Sequence, residues 1–245
     1  MRFQNKVAII TGAGSGIGLA VAERLGSEGA HLVLADLNQA HLDEAVAQCK
    51  ASGAPAVLPV ICDVGVEAQV VAAVAAAIAQ FGRLDVVVNN AGLMLFAKIE
   101  DQTEEDWLRV LRVDLLGAFF FTREAFRTMA GGGAIVNIAS IHAIATSPMV
   151  APYAAAKAGL LSLTRSASIE GKPKSIRVNA VLPGAIDTPM LWNNPNVKSG
   201  VEKIDPADVG RTRDVAAAVA YLASDDAHFI QGAMLRVDGG RLDQL

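Results

Sequence analysis

The chain of 245 residues is 52% hydrophobic and 19% charged, and its formal net charge at pH 7 is -4. A chain of this length and composition can form one α/β domain with a sizeable core. It has neither a basic cluster nor a cationic amphipathic segment, which argues against a nucleic-acid partner or a membrane surface and favours a small-molecule partner.

Apolar runs of strand length alternate with helical patterns along the chain. These runs predict strands at Val7 to Thr11, His31 to Asp36, Ala56 to Ile61, Val86 to Asn89, Ala134 to Ile138, Arg177 to Leu182 and Met234 to Val237. Because helices between the strands imply right-handed crossovers, we expect a doubly wound, mostly parallel, seven-stranded α/β sheet covered on both faces. No linker or internal repeat interrupts the pattern, so we predict a single domain over residues 1–245.

The first strand leads into a glycine-rich turn and then into a helical pattern. The turn has the sequence Thr11-Gly12-Ala13-Gly14-Ser15-Gly16-Ile17-Gly18. A helix N-terminus offers free backbone N–H groups and the positive end of the helix dipole, both of which favour a phosphate. The turn therefore predicts a pyrophosphate cradle, although it differs from the G-x-G-x-x-G spacing and from a P-loop. A tight turn without a ligand is the alternative.

The second strand ends at Asp36, eighteen residues after Gly18. A carboxylate here can accept hydrogen bonds from an adenosine ribose, and it would repel a 2′-phosphate. The positions where NADP-binding proteins usually carry a cation hold Ser15, Leu37 and Asn38. We therefore expect NAD as the cofactor. The alternative role for Asp36 is to cap the next helix.

Three polar residues follow the fifth strand. Ser140 comes directly after it, and Tyr153 and Lys157 lie four residues apart in an alanine-rich helical pattern, which places both on one face. Free tyrosine is mostly protonated near neutral pH, and a neighbouring ammonium lowers its pKa. The set predicts hydride transfer to or from a secondary alcohol, with Tyr153 moving the hydroxyl proton and Ser140 holding the substrate oxygen.

Taken together, the motifs resemble those of the short-chain dehydrogenase/reductase family, in its compact single-domain branch, over essentially the whole chain. The resemblance is carried by the T-G-x-x-x-G-I-G turn, the serine, tyrosine and lysine set, and the segments Asp63-Val64, Asn89-Asn90-Ala91-Gly92, Pro183-Gly184-Ala185-Ile186-Asp187-Thr188 and Val237-Asp238-Gly239-Gly240. One departure is Asp114, which stands where the family's V-N-L-x-G motif has asparagine. It leaves the role of this fourth catalytic position open.

The resemblance implies a Rossmann-type fold and an NAD(P)-dependent oxidoreductase acting on CH–OH groups, with no metal. Its implied catalytic residues are Ser140, Tyr153, Lys157 and Asp114. The positions implied at the cofactor are Gly12, Ser15, Gly16, Ile17, Gly18, Asp36, Leu37, Asp63, Val64, Asn90, Ala91, Gly92, Tyr153, Lys157, Pro183, Gly184, Ile186 and Thr188.

A predicted helix from about Thr103 to Met129 is apolar on nearly every side through its middle. The apolar residues are Val113, Leu115, Leu116, Phe119, Phe120 and Phe121. A helix that covers one face of a monomer needs only one apolar stripe. The excess suggests a subunit interface, and the resemblance implies a homodimer or homotetramer. A helix wedged deeply in one core is the alternative.

The segment from Met190 to Arg211 has too little periodicity for regular structure and resembles the family's variable substrate lid, at about residues 188–212. The substrate pocket is expected to include Ser140 together with Leu93, Met94, Leu95, Phe96, His142, Ile144, Val150 and Trp192. His142 resembles the histidine of 3-hydroxybutyrate dehydrogenases in this family, but their polar carboxylate clamps would fall on Met94 and Val150. We therefore expect an apolar secondary alcohol or ketone as the substrate.

Other functions stay as alternatives. A hydroxy-acid dehydrogenase and an NADP-preferring carbonyl reductase use the same chemistry. An epimerase or dehydratase of the sugar-modifying branch would have T-G-x-x-G-x-x-G and a longer chain, and a non-catalytic dinucleotide-binding regulator would not need the complete catalytic set.

The two cysteines, Cys49 and Cys62, have neither C-x-x-C nor metal-ligand spacing. We expect structural thiols in a reducing compartment. The first strand begins close to Met1, and no apolar run approaches the roughly 18 residues of a transmembrane helix. These features predict a cytoplasmic protein.

Overall fold

The computed structural model describes the backbone of residues 1–244 and the side chains of residues 1–243. Its centre is one sheet with the strand order β3-β2-β1-β4-β5-β6-β7. The strands are β1 Val7–Thr11, β2 His31–Asp36, β3 Val57–Ile61, β4 Val86–Asn89, β5 Gly133–Ile138, β6 Ile176–Pro183 and β7 Met234–Val237. Every neighbouring pair is parallel. The predicted doubly wound α/β fold is confirmed, with each strand end within one residue of its predicted position.

The helices cover both faces of this sheet. They are α1 Gly16–Ser27, α2 Gln39–Ala51, α3 Glu67–Phe81, α4 Glu104–Leu111, α5 Gly117–Thr128, α6 Ala151–Gly171, α7 Pro189–Trp192, α8 Pro195–Lys198 and α9 Thr212–Ala223. Alternate residues of a strand face opposite sides. In β1, Ala8 and Ile10 pack into the core under α1, α2 and α9, whereas Val7 and Ile9 pack into the core under α3 and α5.

The strand order reverses between β1 and β4. Chain segments that leave the carboxyl ends of these two strands turn to opposite faces of the sheet and leave a crevice between them. The glycine turn follows β1 and the Asn90 segment follows β4, so the fold brings these two predicted motifs together at this crevice.

The predicted single helix from Thr103 to Met129 is wrong in one respect. The structure has α4 and α5 joined by one π-helical turn at Arg112–Leu116. A π-helical turn inserts an extra residue, which shifts the direction of the side chains that follow. Phe121 is fully buried in the core, while Leu116 and Phe119 stay 40% and 39% exposed.

The segment from Met190 to Arg211 is also more regular than predicted, because it contains α7, α8 and a 3₁₀ turn at Pro206–Asp208. Both helices carry proline in the first turn, and the side chains of Thr188 and Asn194 cap them. Helices of four residues are too short to show a periodic pattern in the sequence. In the described part of the chain, no helix combines the length and apolar character needed to cross a membrane.

Candidate active site

The glycine turn between β1 and α1 depends on the absence of side chains. Gly12 and Gly16 have φ angles of +61° and +56°, which favour glycine. A Cβ on Gly18 would lie 2.1 Å from the carbonyl oxygen of Gly12, so only glycine lets α1 approach the turn. The first N–H groups of a helix have no partner within it, and here Gly16 and Ile17 line a cavity.

Asp36 lies at the end of β2 with its carboxylate directed towards the glycine turn. One oxygen accepts a hydrogen bond from the Gly14 N–H at 2.9 Å, and the other accepts from the Asn38 N–H at 3.1 Å. The side chain that caps α2 is Asn38, which accepts from the His41 N–H. The helix-capping alternative for Asp36 is therefore not what the structure shows, and Asp36 and Leu37 both line the cavity.

The segment after β4 is fastened to the glycine turn. The Asn90 amide donates hydrogen bonds to the carbonyl oxygens of Thr11 at 2.9 Å and Gly12 at 3.2 Å, and the Thr11 hydroxyl accepts from the N–H groups of Asn90 and Ala91. These bonds hold the two strand ends at a fixed spacing. The Asn90 side chain thus fixes the conformation of the glycine turn, a positioning role that the motif alone does not reveal.

Ser140, Tyr153 and Lys157 are buried together at the wall of the same cavity. Tyr153 and Lys157 lie one turn apart on α6, with the Lys157 Nζ 5.5 Å from the centre of the Tyr153 ring. The Lys157 ammonium also donates to the carbonyl oxygen of Ile138 at 3.0 Å. The Ser140 hydroxyl accepts from the His142 N–H at 3.1 Å, which leaves its own proton available to another acceptor.

Asp114 lies in the π-helical turn and is 1% exposed. One carboxylate oxygen accepts from the Leu93 N–H at 2.9 Å, and the other lies 3.3 Å from the Lys157 Nζ. Gly92 gives these groups room, because a Cβ there would lie 2.9 Å from the Asp114 carboxylate. Asp114 is not among the described residues that line the cavity. Its contact with the Lys157 ammonium makes it a positioning residue.

Burial dominates the electrostatics of these groups. It raises the pKa of Tyr153, and the Asp114 carboxylate raises it further, while Lys157 and the Ser140 hydroxyl oppose the shift. The predicted lowering by Lys157 is present, but burial outweighs it. Burial likewise raises the pKa of Asp114 against the opposing effect of Lys157. For Lys157, burial lowers the pKa, but Asp114 and Tyr153 together raise it above the ordinary value.

The cavity has a volume of about 410 Å³ and joins most of the predicted site residues. The predicted residues that line it are Gly12, Ser15, Gly16, Ile17, Asp36, Leu37, Asp63, Val64, Asn90, Ala91, Gly92, Leu93, Met94, Ser140, His142, Tyr153, Lys157, Pro183, Gly184, Ile186 and Thr188. Of the remaining ones, Gly18 lies behind the turn, and Leu95, Phe96, Ile144 and Val150 are not part of the lining. Trp192 is 43% exposed and donates to the Asp187 carboxylate at 2.7 Å, also outside the lining.

Sequence reasoning missed the polar residues that the lid and the chain end contribute. Asn194, Glu202 and Arg241 line the cavity. Glu202 and Arg241 are 39 residues apart; Glu202 lies in an irregular segment and Arg241 begins a short 3₁₀ helix, so neither belongs to a motif or a periodic pattern. The sequence does not single out Glu202, because Lys203, Asp205 and Asp208 are charged residues of the same segment. In the described part of the chain, no group of three His, Cys, Asp or Glu residues could hold a metal ion.

Known proteins are similar to this chain over nearly its whole length. The family profile described as Enoyl-(Acyl carrier protein) reductase matches residues 12–241. Cis-4-hydroxycyclohexanecarboxylate dehydrogenase of Sinomonas cyclohexanicum is 41% identical over 243 residues, which cover 97% of each chain. The crystal structure of levodione reductase is 36% identical, covers 100% of both chains and has a TM-score of 0.94. The structure of NAD⁺-bound xylitol dehydrogenase is 32% identical, covers 98% of this chain and 100% of the other, and has a TM-score of 0.90.

Proposed function

The chain belongs to the short-chain dehydrogenase/reductase family and is an oxidoreductase that acts on CH–OH groups; from this premise we propose that it interconverts a secondary alcohol and a ketone with NAD(H), using Tyr153 as the general acid and base. The observation that carries the proposal is the burial of Ser140, Tyr153 and Lys157 together at the wall of a cavity that residues of the glycine turn also line.

The residues at that turn fit a nicotinamide dinucleotide. A Cβ on Gly12, Gly16 or Gly18 would be strained or obstructed, and the turn presents helix N–H groups to the cavity, as a pyrophosphate requires. Asp63 and Val64 would hold the adenine, Lys157 and Tyr153 the nicotinamide ribose, and the segment 183–188 the nicotinamide; all of these residues except Asp187 line the cavity. When bound, the nicotinamide supplies or accepts the hydride.

Two observations support NAD over NADP. The Asp36 carboxylate is held at the edge of the cavity by the Gly14 and Asn38 N–H groups, where it can accept from ribose hydroxyls. Among the described residues that line the cavity, the lysine and arginine side chains are Lys157 and Arg241, and neither follows β1 or β2. A 2′-phosphate beside Asp36 would therefore meet a like charge without a compensating cation.

Proton transfer follows from the hydrogen bonds at the catalytic wall. In ketone reduction, Tyr153 donates its phenolic proton to the carbonyl oxygen, and in alcohol oxidation the phenolate takes up the hydroxyl proton. The Lys157 ammonium, fixed by the Ile138 carbonyl, stabilises the phenolate. Because the Ser140 hydroxyl accepts from the His142 N–H, its own proton can be donated to the substrate oxygen as charge develops there.

The substrate part of the cavity supports a substrate with an apolar body. Its walls include Leu93, Met94, Ile141, Met190 and Leu191. The 41% identical relative is named for a hydroxycyclohexanecarboxylate, which is a secondary alcohol on a six-membered carbon ring that also carries a carboxylate. We take the segment 188–212, which contains α7 and α8, to be the lid over this substrate. A six-membered ring ketone is accordingly the first substrate to test.

The direct test is to assay the purified protein against ketones and secondary alcohols, with NAD(H) and NADP(H) in parallel, by nicotinamide absorbance. We expect turnover of ring ketones with NADH and a higher catalytic efficiency than with NADPH. No turnover of any alcohol or ketone, in the presence of measurable NADH binding, would reject the proposed reaction. A preference for NADPH would reject only the cofactor assignment.

The assembly and location are part of the same proposal. Leu116 and Phe119 are exposed on neighbouring turns of the α5 region, and we expect them to contact a second copy in a homodimer or homotetramer. Cys49 and Cys62 are unpaired and buried, and burial raises the pKa of Cys62 to about 11, so both stay as thiols. Such thiols suit the reducing cytoplasm. Light scattering of the purified protein tests the assembly.

A further inference from the structure

The apolar substrate cavity contains one ion pair. Arg241, in the turn after β7, donates through Nη2 to the Glu202 carboxylate at 2.7 Å, and the two side chains are only 13% and 14% exposed. Both residues line the cavity. Burying two charges costs free energy, and the attraction between them offsets only part of that cost. A pair of apolar side chains at these positions could therefore stabilise the fold as well as the ion pair does.

Arg241 has more unused hydrogen-bonding groups than Glu202 in this pair. A guanidinium has five N–H donors, and within the described part of the chain the Arg241 side chain donates only to Glu202. The Glu202 carboxylate, by contrast, has a partner at each oxygen, because the Asn194 amide donates to the second one at 3.4 Å. The pair therefore offers the cavity more donors than acceptors.

The charge of the pair limits which acceptor can bind. Glu202 and Arg241 cancel each other, and their effects on the pKa of the neighbouring His142 are opposite, while burial lowers that pKa. A carboxylate brought to Arg241 would gain one cation but meet the Glu202 anion beside it. An uncharged oxygen gains the hydrogen bond without this repulsion.

We propose that Arg241 donates a hydrogen bond to a second, uncharged oxygen of the substrate, a hydroxyl or carbonyl carried by the apolar body away from the reacting carbon, and that Glu202 fixes the guanidinium and selects against carboxylates. This specificity site rests on the proposed function, because it assumes that the cavity holds a ketone or an alcohol beside Tyr153.

The competing explanation is that the pair only fastens the lid. The lid already has other attachments: the Asn196 amide donates to the Pro148 carbonyl at 2.9 Å, and the Gly210 N–H donates to the Ala185 carbonyl at 2.9 Å. A fastening role would change the KM of every substrate by a similar factor. A specificity role changes the ratio between substrates that differ only at the distal group.

The test compares three ketones of similar shape, namely 4-methylcyclohexanone, 4-hydroxycyclohexanone and 4-oxocyclohexanecarboxylate, by kcat/KM with NADH. The wild type should prefer the hydroxyl over the methyl compound by about tenfold or more, the range of a hydrogen bond to a charged group. The double variant Arg241→Met with Glu202→Gln removes the pair without leaving a lone buried charge, and it should bring the ratio close to one. The single variant Glu202→Gln should raise the relative rate of the carboxylate compound by about tenfold.

The matched control is the exposed pair Arg236 and Asp243, 2.8 Å apart in the same C-terminal region and outside the described cavity lining. Its double variant, Arg236→Met with Asp243→Asn, should keep the wild-type ratio. Thermal unfolding and NADH binding establish that each variant is folded.

Three results would overturn the inference while leaving the proposed reaction intact. They are equal rates for the methyl and hydroxyl compounds in the wild type, a ratio that survives loss of the pair, and a wild-type preference for the carboxylate compound. If none of the ketones is reduced although NADH binds, the proposed function itself fails, and the specificity site fails with it.

Discussion

Replacing Asp114 with asparagine isolates the effect of one buried charge on the catalytic wall. The side chain keeps its shape and can still accept from the Leu93 N–H, but the negative charge 3.3 Å from the Lys157 Nζ is removed. Because that carboxylate raises the pKa values of both Tyr153 and Lys157, we expect both to fall in the variant.

The size of the effect follows from two contacts. The Lys157 Nζ lies 3.3 Å from the Asp114 carboxylate and 5.5 Å from the centre of the Tyr153 ring, so the carboxylate lies within the sum of these distances from the ring. At roughly 9 Å and an effective dielectric of about 20, two unit charges interact by about 2 kcal/mol. Removing this interaction lowers the pKa of Tyr153, so more phenolate is present at a given pH.

The sign is set by the reaction direction. In the proposed mechanism, alcohol oxidation needs the Tyr153 phenolate, whose formation the Asp114 carboxylate opposes. In Asp114→Asn, the acidic limb of the oxidation profile should therefore move to lower pH. The alkaline limb should move in the same direction wherever loss of the Lys157 proton limits the rate, because that ammonium has lost its anionic partner.

The assay is the pH dependence of kcat/KM for oxidation, with Asp106→Asn as the control. Asp106 is an exposed carboxylate on α4 that accepts from the Thr103 N–H and hydroxyl, so its loss should leave the profile unchanged. An active, folded Asp114→Asn enzyme with the wild-type profile would refute the charge argument. Complete loss of activity with intact NADH binding would show that the carboxylate itself takes part in the reaction.

Three further substitutions test the remaining assignments. Tyr153→Phe should lower the rate about 100- to 10,000-fold while NADH binding, followed by fluorescence, stays largely intact; a residual rate within tenfold of wild type contradicts the acid-base role. Lys157→Ala should weaken both NADH binding and turnover, and if neither changes, the pairing on α6 has no catalytic meaning. Asp36→Ala combined with Leu37→Arg should shift the ratio of catalytic efficiencies towards NADP(H), because it removes a like charge and supplies a phosphate partner.

The sheet was predictable because both faces of each central strand are buried. Strands such as β1 and β2 consist of consecutive buried residues, so they appear in the sequence as short apolar runs between turn residues. The carboxyl ends of parallel strands meet at one edge, and the residues that follow each run therefore belong to one cavity. The same argument predicts that Asp36, Ser140 and the glycine turn lie close together, and residues of all three line one cavity.

The lid and its charges were not predictable in this way. Glu202 and Arg241 meet because the lid and the turn after β7 line the same cavity. The lid helices α7 and α8 are defined by capping side chains and prolines, so they leave no periodic apolar pattern in the sequence. An apolar pocket was expected because the contributing strand ends carry Leu93 and Met94. The polar lining residues that were not predicted, Asn194, Glu202 and Arg241, come from the lid and from the turn after β7.

Asp114 shows why a motif can give a position without giving a role. The single helix expected from Thr103 to Met129 leaves the direction of residue 114 undetermined relative to Lys157, and the π-helical turn is what points its carboxylate to the Lys157 Nζ and the Leu93 N–H. That arrangement also requires Gly92, whose absent Cβ gives the carboxylate its space. The Asp114 carboxylate accepts from the Leu93 N–H and lies beside the Lys157 ammonium. Its charge is therefore coupled to the proposed proton transfer at Tyr153, although Asp114 does not line the cavity. The pH profile of the asparagine variant measures that coupling directly.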